Sequence, residues 1–356
     1  MIKTLAKIYS EEYYEKALLL REVFMNTKKF DPSFQKLKQM QSLPLEQKII
    51  VSKMRIRQWH EHYEGNVIVS FSGGADSTVL LHLVRSVYPD VKAVFVNTGL
   101  EYPQIVRFVH SVENVDIIRP KLTYKEVIEK YGYPLISKET AQKIHDVRNT
   151  KSQKLLDIRL GRIQGRQGVL AKKWRFLVDA PFKISDKCCN ILKKKPIINY
   201  RKEHGGYAYT GVMAEESALR IESYVLYSCN AFNQKTNPTS RPLMFWTKQD
   251  ILQYIKKYNL DYCKAVYGEI EDDPNGGLRF SKHQRTGCTF CMFGVHLEKY
   301  PNRFQRMQTE NPALYDYCIN KLNLKEPLEY CNIPYDKDDY RNRDEKQTEI
   351  EFVLES

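Results

Sequence analysis

The chain has 356 residues, 42% hydrophobic and 28% charged, with a formal net charge of +13. That length suits two domains, or one with extensions, and the composition suits a soluble globular protein. No apolar run approaches the roughly 20 residues that a bilayer span requires, so the sequence predicts a cytoplasmic protein with no membrane partner.

The opening stretch MIKTLAKIYSEEYYEKALLL carries acids inside its apolar pattern and no small-residue cleavage site. It predicts a helix rather than a signal peptide. Residues 1–62 as a whole mix Leu, Ile and Tyr with Lys and Glu, and read as a helical N-terminal extension. Breaks are expected at Phe30-Asp31-Pro32-Ser33 and Ser42-Leu43-Pro44.

The pattern then changes. Val67-Ile68-Val69-Ser70-Phe71 is a short β-branched run between Gly65-Asn66 and Gly73-Gly74, which predicts a buried strand. A helix is expected through Thr78–Val84, a second strand over Val91–Val96 ending at Asn97-Thr98-Gly99, a helix from Tyr102 to Val112, and a third strand over Val115–Ile118. Strands alternating with helices over short links predict an α/β fold with a parallel, doubly wound sheet. Ligands of such sheets lie beyond the carboxyl ends of the strands, where both glycine turns fall. Further on, Gly206–Met213 predicts another strand, and Thr247 caps a helix running to about Tyr258. The remainder reads as loop-rich, with a turn at Asp273–Gly277. The expected organisation is an extension over 1–62, a nucleotide-binding α/β domain over 63–225 with a basic insertion at 141–202, and a C-terminal region over 226–356 with an acidic tail.

Charge is concentrated. Between Ala141 and Lys202, 17 Lys and Arg stand against 4 Asp and Glu, and from Asp336 onward 8 acids stand against 4 bases. A basic block of this density points to a polyanionic partner. Its first part, 141–176, with Gly161, Gly165 and Gly168, is expected as a mobile arm.

The segment Ser72-Gly73-Gly74-Ala75-Asp76-Ser77 joins the first strand to its helix. Its glycines permit positive φ and let backbone N–H groups approach an anion, and the helix adds the partial positive charge of its N-terminus. Ser72 and Ser77 can donate hydroxyl hydrogen bonds. Asp76 suits Mg²⁺ or a helix cap. The loop lacks the spacing of both a Walker loop and GxGxxG.

The cysteines form two spaced pairs. Cys188 and Cys189 are adjacent, and Cys288 and Cys291 make C-x-x-C. Four thiolates suit tetrahedral Zn²⁺ or an iron–sulfur cluster. Adjacent cysteines are awkward on one small zinc ion, whereas a cubane offers separate iron corners. Cys229, Cys263, Cys318 and Cys331 have no such spacing and read as core or incidental.

SGGxDS after a strand resembles the PP-loop of the N-type ATP pyrophosphatases, which cleave ATP between its α- and β-phosphates. The resemblance runs on through Asn97-Thr98-Gly99, similar to the second nucleotide turn of the PAPS reductase branch. It continues through Lys187-Cys188-Cys189, Lys195-Pro196 and the stretch Gly211–Arg220, and covers about residues 60–295. The fold implied is that of the adenine nucleotide alpha hydrolases, with a C-terminal iron–sulfur region. The roles implied are these: Ser72, Gly73, Gly74, Asp76 and Ser77 at pyrophosphate and Mg²⁺, Asn97, Thr98 and Gly99 near the nucleotide, and Glu216 and Arg220 at phosphate or substrate. Asp76, Ser77 and Arg220 would be the catalytic set.

The CC…CxxC pattern resembles that of [4Fe–4S] adenylylsulfate reductases and of DndC- and SspD-like DNA phosphorothioation proteins. It implies a [4Fe–4S] cluster on Cys188, Cys189, Cys288 and Cys291, with Zn²⁺ as the alternative. The reductases carry a nucleophilic cysteine in a C-terminal Glu-Cys-Gly-Leu-His element, which this sequence lacks, and they degrade the SGGxDS loop, which this sequence keeps. The resemblance therefore implies an ATP-consuming, adenylating enzyme of nucleic-acid sulfur modification. DNA is expected before RNA as acceptor, a cysteine desulfurase as sulfur source, and other modification proteins as partners. An APS/PAPS reductase, a tRNA thiolation enzyme and a non-catalytic defence or regulatory protein are the alternatives. One departure stands out: Ala75 occupies the place of the lysine in the common SGGKDS, so either a lysine or arginine from elsewhere compensates or turnover is slow.

Overall fold

The computed structural model describes residues 32–163, 168–234 and 237–342. The extension predicted over 1–62 is therefore covered from residue 32 and the acidic tail up to 342; their remaining parts lie outside the described residues, as do 164–167 of the basic block. The chain separates into two compact units, each drawn from discontinuous stretches. One comprises Met1–Asn97, Tyr102–Ile118 and Ile197–Thr286; the other comprises Thr98–Glu101, Arg119–Pro196 and the chain from Gly287 on. This division is not the contiguous one read along the sequence, because the sheet takes up its fourth strand only after the chain has passed through 119–196.

The first unit is built on five parallel strands: β1 (Val67–Phe71), β2 (Ala93–Val96), β3 (Val115–Ile118), β4 (Tyr207–Thr210) and β5 (Thr239–Ser240), in the order β3-β2-β1-β4-β5. The register sets Val69 beside both Ala93 and Tyr209. β1 lies at the centre, and the order reverses there, which is where open α/β sheets place their ligands. Strand β4 is shorter than Gly206–Met213, ending at Thr210.

Helices α1 (Pro32–Gln41), α2 (Leu45–His62), α3 (Ala75–Arg85), α4 (Pro103–Ser111), α5 (Ala218–Tyr227) and α6 (Lys248–Tyr258) belong to this unit, together with an antiparallel pair of short strands, Ile270–Asp272 and Leu278–Phe280. The expected breaks stand: α1 begins at Pro32, and Ser42-Leu43-Pro44 separates α1 from α2. The core contains Trp59, Val69, Leu80, Leu83, Phe95, Tyr209, Phe245 and Trp246, all buried.

A buried charge fixes α6. Thr247 and Asp250 form a capping box, as the sequence predicts for Thr247. Asp250 Oδ2 accepts from the Thr247 N–H and hydroxyl and also from Lys48 Nζ of α2, at 2.7 Å. Lys48 is 2% exposed. One carboxylate thus joins the first residue before α6 to a helix 200 residues earlier in the chain.

The second unit has its own core, including Val127, Ile144, Leu177, Met292, Phe304 and Cys318. Leu135–Ile136 pairs in parallel with Met292–Phe293. The basic stretch 141–176 is not a mobile arm where it is described. It forms the helices Lys138–Asn149 and Gln153–Leu160 and the 3₁₀ turn Lys172–Asp179. The arginines explain why. Arg159 pairs with Asp146 at 2.8 Å, and Arg175 donates to the Leu160 carbonyl. The Arg148 guanidinium donates to the carbonyls of Leu177, Val178, Ala180 and Phe182. Much of the positive charge read from the sequence holds the fold. Cys229, Cys263 and Cys318 are buried, as expected of core cysteines.

Removing one partner of a buried ion pair strands the other. Lys48→Met should therefore cost about 3–5 kcal/mol, read as a fall in the urea midpoint. Lys48→Met combined with Asp250→Leu should cost less than the two single changes summed.

Candidate active site

In the first unit the turn after β1 is held by its own hydroxyls. Ser72 Oγ lies 2.9 Å from Ser77 Oγ, which donates to the Gly74 carbonyl and accepts from the Ser72 N–H. Gly73 has φ +70°, and a Cβ there would stand 2.7 Å from Ile105 Cγ2. Gly211 lies against the loop from the other side, where a Cβ would meet the Asp76 carbonyl oxygen at 3.2 Å. The loop is thus folded around two backbone positions that leave no room for a side chain.

Helix α3 opens at Gly74 without a side-chain cap. The Ala75 N–H donates to the Tyr267 hydroxyl, which sits 2.9 Å from Thr286 Oγ1. Burial pushes the Tyr267 phenol up to about 12. The N–H groups of Gly73, Asp76 and Ser77 find no acceptor among the described residues. Three free amides, the serine hydroxyls and a helix N-terminus make an anion cradle.

The missing loop lysine has a counterpart in space. Lys248, the first residue of α6, places Nζ 3.5 Å from Asp76 Oδ1. A pair this exposed adds at most about 1 kcal/mol to stability, and Lys248 holds the same ammonium 5.0 Å above the Phe280 ring. Its N–H donates to Glu215 Oε1 at 2.5 Å. Desolvation raises the Glu215 pKa and the nearby Asp250 and Asp76 carboxylates add to this, against the lowering by that N–H and by the Lys248 charge.

Glu216 and Arg220 meet, as expected of neighbours in one motif. The Glu216 carboxylate accepts from Arg220, from Arg285 at 2.7 Å and from the Met213 N–H at 3.2 Å. Desolvation and then the Arg285 charge push the Arg220 pKa down, and Asp76 pulls it up. Arg220 therefore sits in the field of the glycine loop, next to a second guanidinium. Asn97 closes the ladder beside β3, donating to the Ile118 carbonyl.

Lys248, Tyr267, Arg285 and Thr286 were not singled out from the sequence. Lys248 follows directly on the recognised cap Thr247, and Arg285-Thr286 stand three residues or fewer before the C-x-x-C pair, so position alone offered a signal.

The second unit contains Thr98 and Gly99 and all four spaced cysteines. Thr98 is held by Glu101, which accepts from its N–H and hydroxyl. Cys188 and Cys189 share a short helical turn that runs into a π-helical turn, Asn190–Lys194, a distortion often found at functional sites. Their side chains hydrogen-bond to each other, and Cys288 and Cys291 both act electrostatically on Cys188. The sharing of one proton drives the pair apart. The hydrogen bond from Cys188 lowers Cys189, against desolvation, and Lys138 and Lys193 favour its thiolate; Cys188 is pushed up. Desolvation raises Cys288, with Lys193 opposing, and raises Cys291, with the Phe293 N–H and Arg303 opposing.

Desolvation pulls the Lys193 ammonium down, but Cys288 and Glu101 outweigh it and hold its pKa above the ordinary value. The four thiols act on one another electrostatically, with Lys138, Lys193 and Arg303 acting on them as cations, and four thiols are the donor type that a multi-thiolate centre uses. Among the described residues, no group of three or more His, Cys, Asp or Glu is placed so that it could hold a metal ion.

An all-parallel open sheet with a glycine loop at the switch point of its strand order defines a doubly wound α/β protein. The model of the phosphoadenosine phosphosulfate reductase domain matches residues 66–157 and 136–292, and the chain belongs to that family, within the PP-loop superfamily. An adenosine 5'-phosphosulfate reductase of Staphylococcus haemolyticus is 23% identical over 269 residues, covering 69% of this chain and 87% of the relative. The Oceanobacillus iheyensis protein of that name is 24% identical, covering 66% and 85%. A Candida auris phosphoadenylyl-sulfate reductase solved as a phosphate complex aligns with TM-score 0.34 and 16% identity, over 66% of this chain and 98% of its own. No helix among the described residues is long and apolar enough to cross a membrane.

Gly73→Ala forces a left-handed backbone onto an L side chain, about 1–2 kcal/mol of strain, and crowds Ile105 and Val109. Its melting temperature should fall by several degrees, whereas Gly276→Ala, with φ +97° but open space around it, should cost only the strain. Equal losses would refute the close packing of the loop.

Proposed function

We propose that this chain is an adenylating ATP pyrophosphatase acting in sulfur modification of nucleic acid, with DNA phosphorothioation as the foremost case. The single observation that carries the reading is the cradle after β1, with free amides at Gly73, Asp76 and Ser77 and Lys248 beside them. A sulfonucleotide has no pyrophosphate to release, so a complete pyrophosphate cradle gains its use from ATP.

In this reading the loop amides and the Ser72 and Ser77 hydroxyls bind the β- and γ-phosphates, and Lys248 supplies the charge absent at Ala75. Arg220 and Arg285 form a fork for the α-phosphate or the acceptor phosphate, with Glu216 holding both in place until an anion arrives. An acceptor oxygen attacks the α-phosphorus, the α–β bond breaks, and pyrophosphate leaves with its charge already met. Asp76 is the carboxylate available to a phosphate-bound Mg²⁺. Asn97, Thr98 and Gly99 flank the nucleotide. Cys188, Cys189, Cys288 and Cys291 are the ligands for a [4Fe–4S] cluster, which when bound supplies a redox-active or sulfur-handling centre. A cysteine desulfurase and other modification proteins are the partners this chemistry calls for.

The names of the curated relatives favour a second reading, an APS/PAPS reductase. That reaction requires a reactive thiolate outside the cluster set. Burial pushes Cys331 up to about 12, which suits it poorly as the nucleophile.

The deciding experiment uses anaerobically purified protein assayed for iron and sulfide. Pyrophosphate from ATP, stimulated by DNA or RNA, with about four irons per chain, supports the adenylase. Sulfite from adenylylsulfate or its 3'-phosphate, without pyrophosphate release, establishes the reductase. Ser77→Ala should lower pyrophosphate release by about 100-fold and Asp76→Ala should abolish it, both leaving the iron content intact, while Cys288→Ser should lose the absorbance near about 400 nm that clusters of this type give. Lys248→Met should raise KM for ATP about tenfold, the worth of one charge-assisted contact, with Lys248→Arg restoring part of it.

A further inference from the structure

The second unit carries a feature that neither the cradle nor the thiols use. Phe176 and Tyr330, 42% and 40% exposed, stack face to face with ring centroids 5.8 Å apart and planes 26° from parallel. Trp174 continues the row, 6.3 Å from Phe176, and Lys173 Nζ lies 5.2 Å above the Trp174 ring. Lys172, Lys173 and Lys183 are exposed. Within residues 168–183 four cations stand against one acid, Asp179. Glu329, beside Tyr330, is taken up by the Tyr335 hydroxyl and by Lys325.

The row is rigidly mounted. Arg148 spends its donors on four carbonyls between Leu177 and Phe182, the segment that presents Phe176. Phe182 then meets the Tyr330 ring edge-on at 5.5 Å. Phe176 and Tyr330 leave aromatic surface in water beside lysines while Trp174 is half-buried, and grouped exposed apolar surface of this kind marks an interaction site. Flat hydrophobic faces suit the faces of bases, and ammonium groups suit a phosphate backbone. Bases in a duplex are already stacked on one another, so only an unpaired strand can use such rings.

We propose that Trp174, Phe176 and Tyr330, with Lys172 and Lys173, form a stacking surface for single-stranded nucleic acid. The proposal rests on the nucleic-acid reading above and gives it a strand state: the acceptor region is met open rather than as intact duplex.

The test is fluorescence anisotropy on the full chain with labelled oligodeoxythymidine and oligouridine of about 15 nucleotides and a duplex of equal length. Wild type should prefer the single strands; the two single-stranded arms report which sugar is favoured, and binding of either supports the surface. Phe176→Ala should weaken binding about tenfold, the effect of one lost base stack, and Phe176→Trp should restore it. Lys172→Gln with Lys173→Gln, which leaves the rings in place, should flatten the slope of log affinity against log salt by about 1.4. Pyrophosphate release from ATP alone should be unchanged in all three. Wild-type binding by Phe176→Ala, or a duplex bound as tightly as the single strands, overturns the surface. If nucleic acid still stimulates wild-type pyrophosphate release in that case, only the surface has failed. If no nucleic acid binds or stimulates, the acceptor reading has failed with it.

Discussion

The organisation of the first unit depends on how closely its backbone can approach itself after β1. Gly73 turns with φ +70° into the space beside Ile105 and Val109, and Gly211 presses on Asp76 and Ser77 from the far side. A side chain at Gly73 would collide with Ile105 and Val109, and one at Gly211 would push on the backbone of Asp76 and Ser77, so the loop would have to shift in either case. The chemistry proposed for the loop is therefore a consequence of packing. The glycines shape the cradle because the sheet and α4 leave room for backbone only.

The charges around the loop are held by partners that are themselves anchored. Asp250 caps α6 and binds Lys48, so the position of Lys248 is inherited from a buried ion pair. Glu216 gathers Arg220 and Arg285 while its other contact is a main-chain N–H. In both cases a carboxylate keeps cations oriented without an anion present, and the exposed pairs are weak enough to yield to phosphate. Preorganisation of this kind lowers the cost of ordering side chains when a ligand binds.

The sequence showed the parallel strands and the glycine loop clearly, since β-branched runs and paired glycines are local signals. The Thr247 cap was legible for the same reason. The compensating lysine was legible only as a need: Ala75 implied a cation from elsewhere, but Lys248 lies more than 170 residues away and no local pattern marks it. The basic block was misjudged in its first part because charge counts do not show who the partners are. Asp146 satisfies Arg159, and main-chain carbonyls, invisible in a composition, satisfy Arg148 and Arg175. The division into units was hidden too, since strand β4 returns to a sheet begun more than a hundred residues earlier.

The same distinction separates the two kinds of positive charge in the second unit. Arg148, Arg159 and Arg175 are spent on internal acceptors, whereas Lys138 and Lys193 face thiols and Lys172 and Lys173 face water. Arginine's rigid fork serves the first task, because several carbonyls can be held at once. Lysine's point charge serves the second, because it can follow an anion that comes and goes. A polyanion meeting the Lys172–Lys173 face would find those lysines exposed, whereas Arg148, Arg159 and Arg175 are already engaged. Its affinity should therefore be strongly salt-dependent, with any selectivity coming from the rings at Trp174, Phe176 and Tyr330 and not from charge.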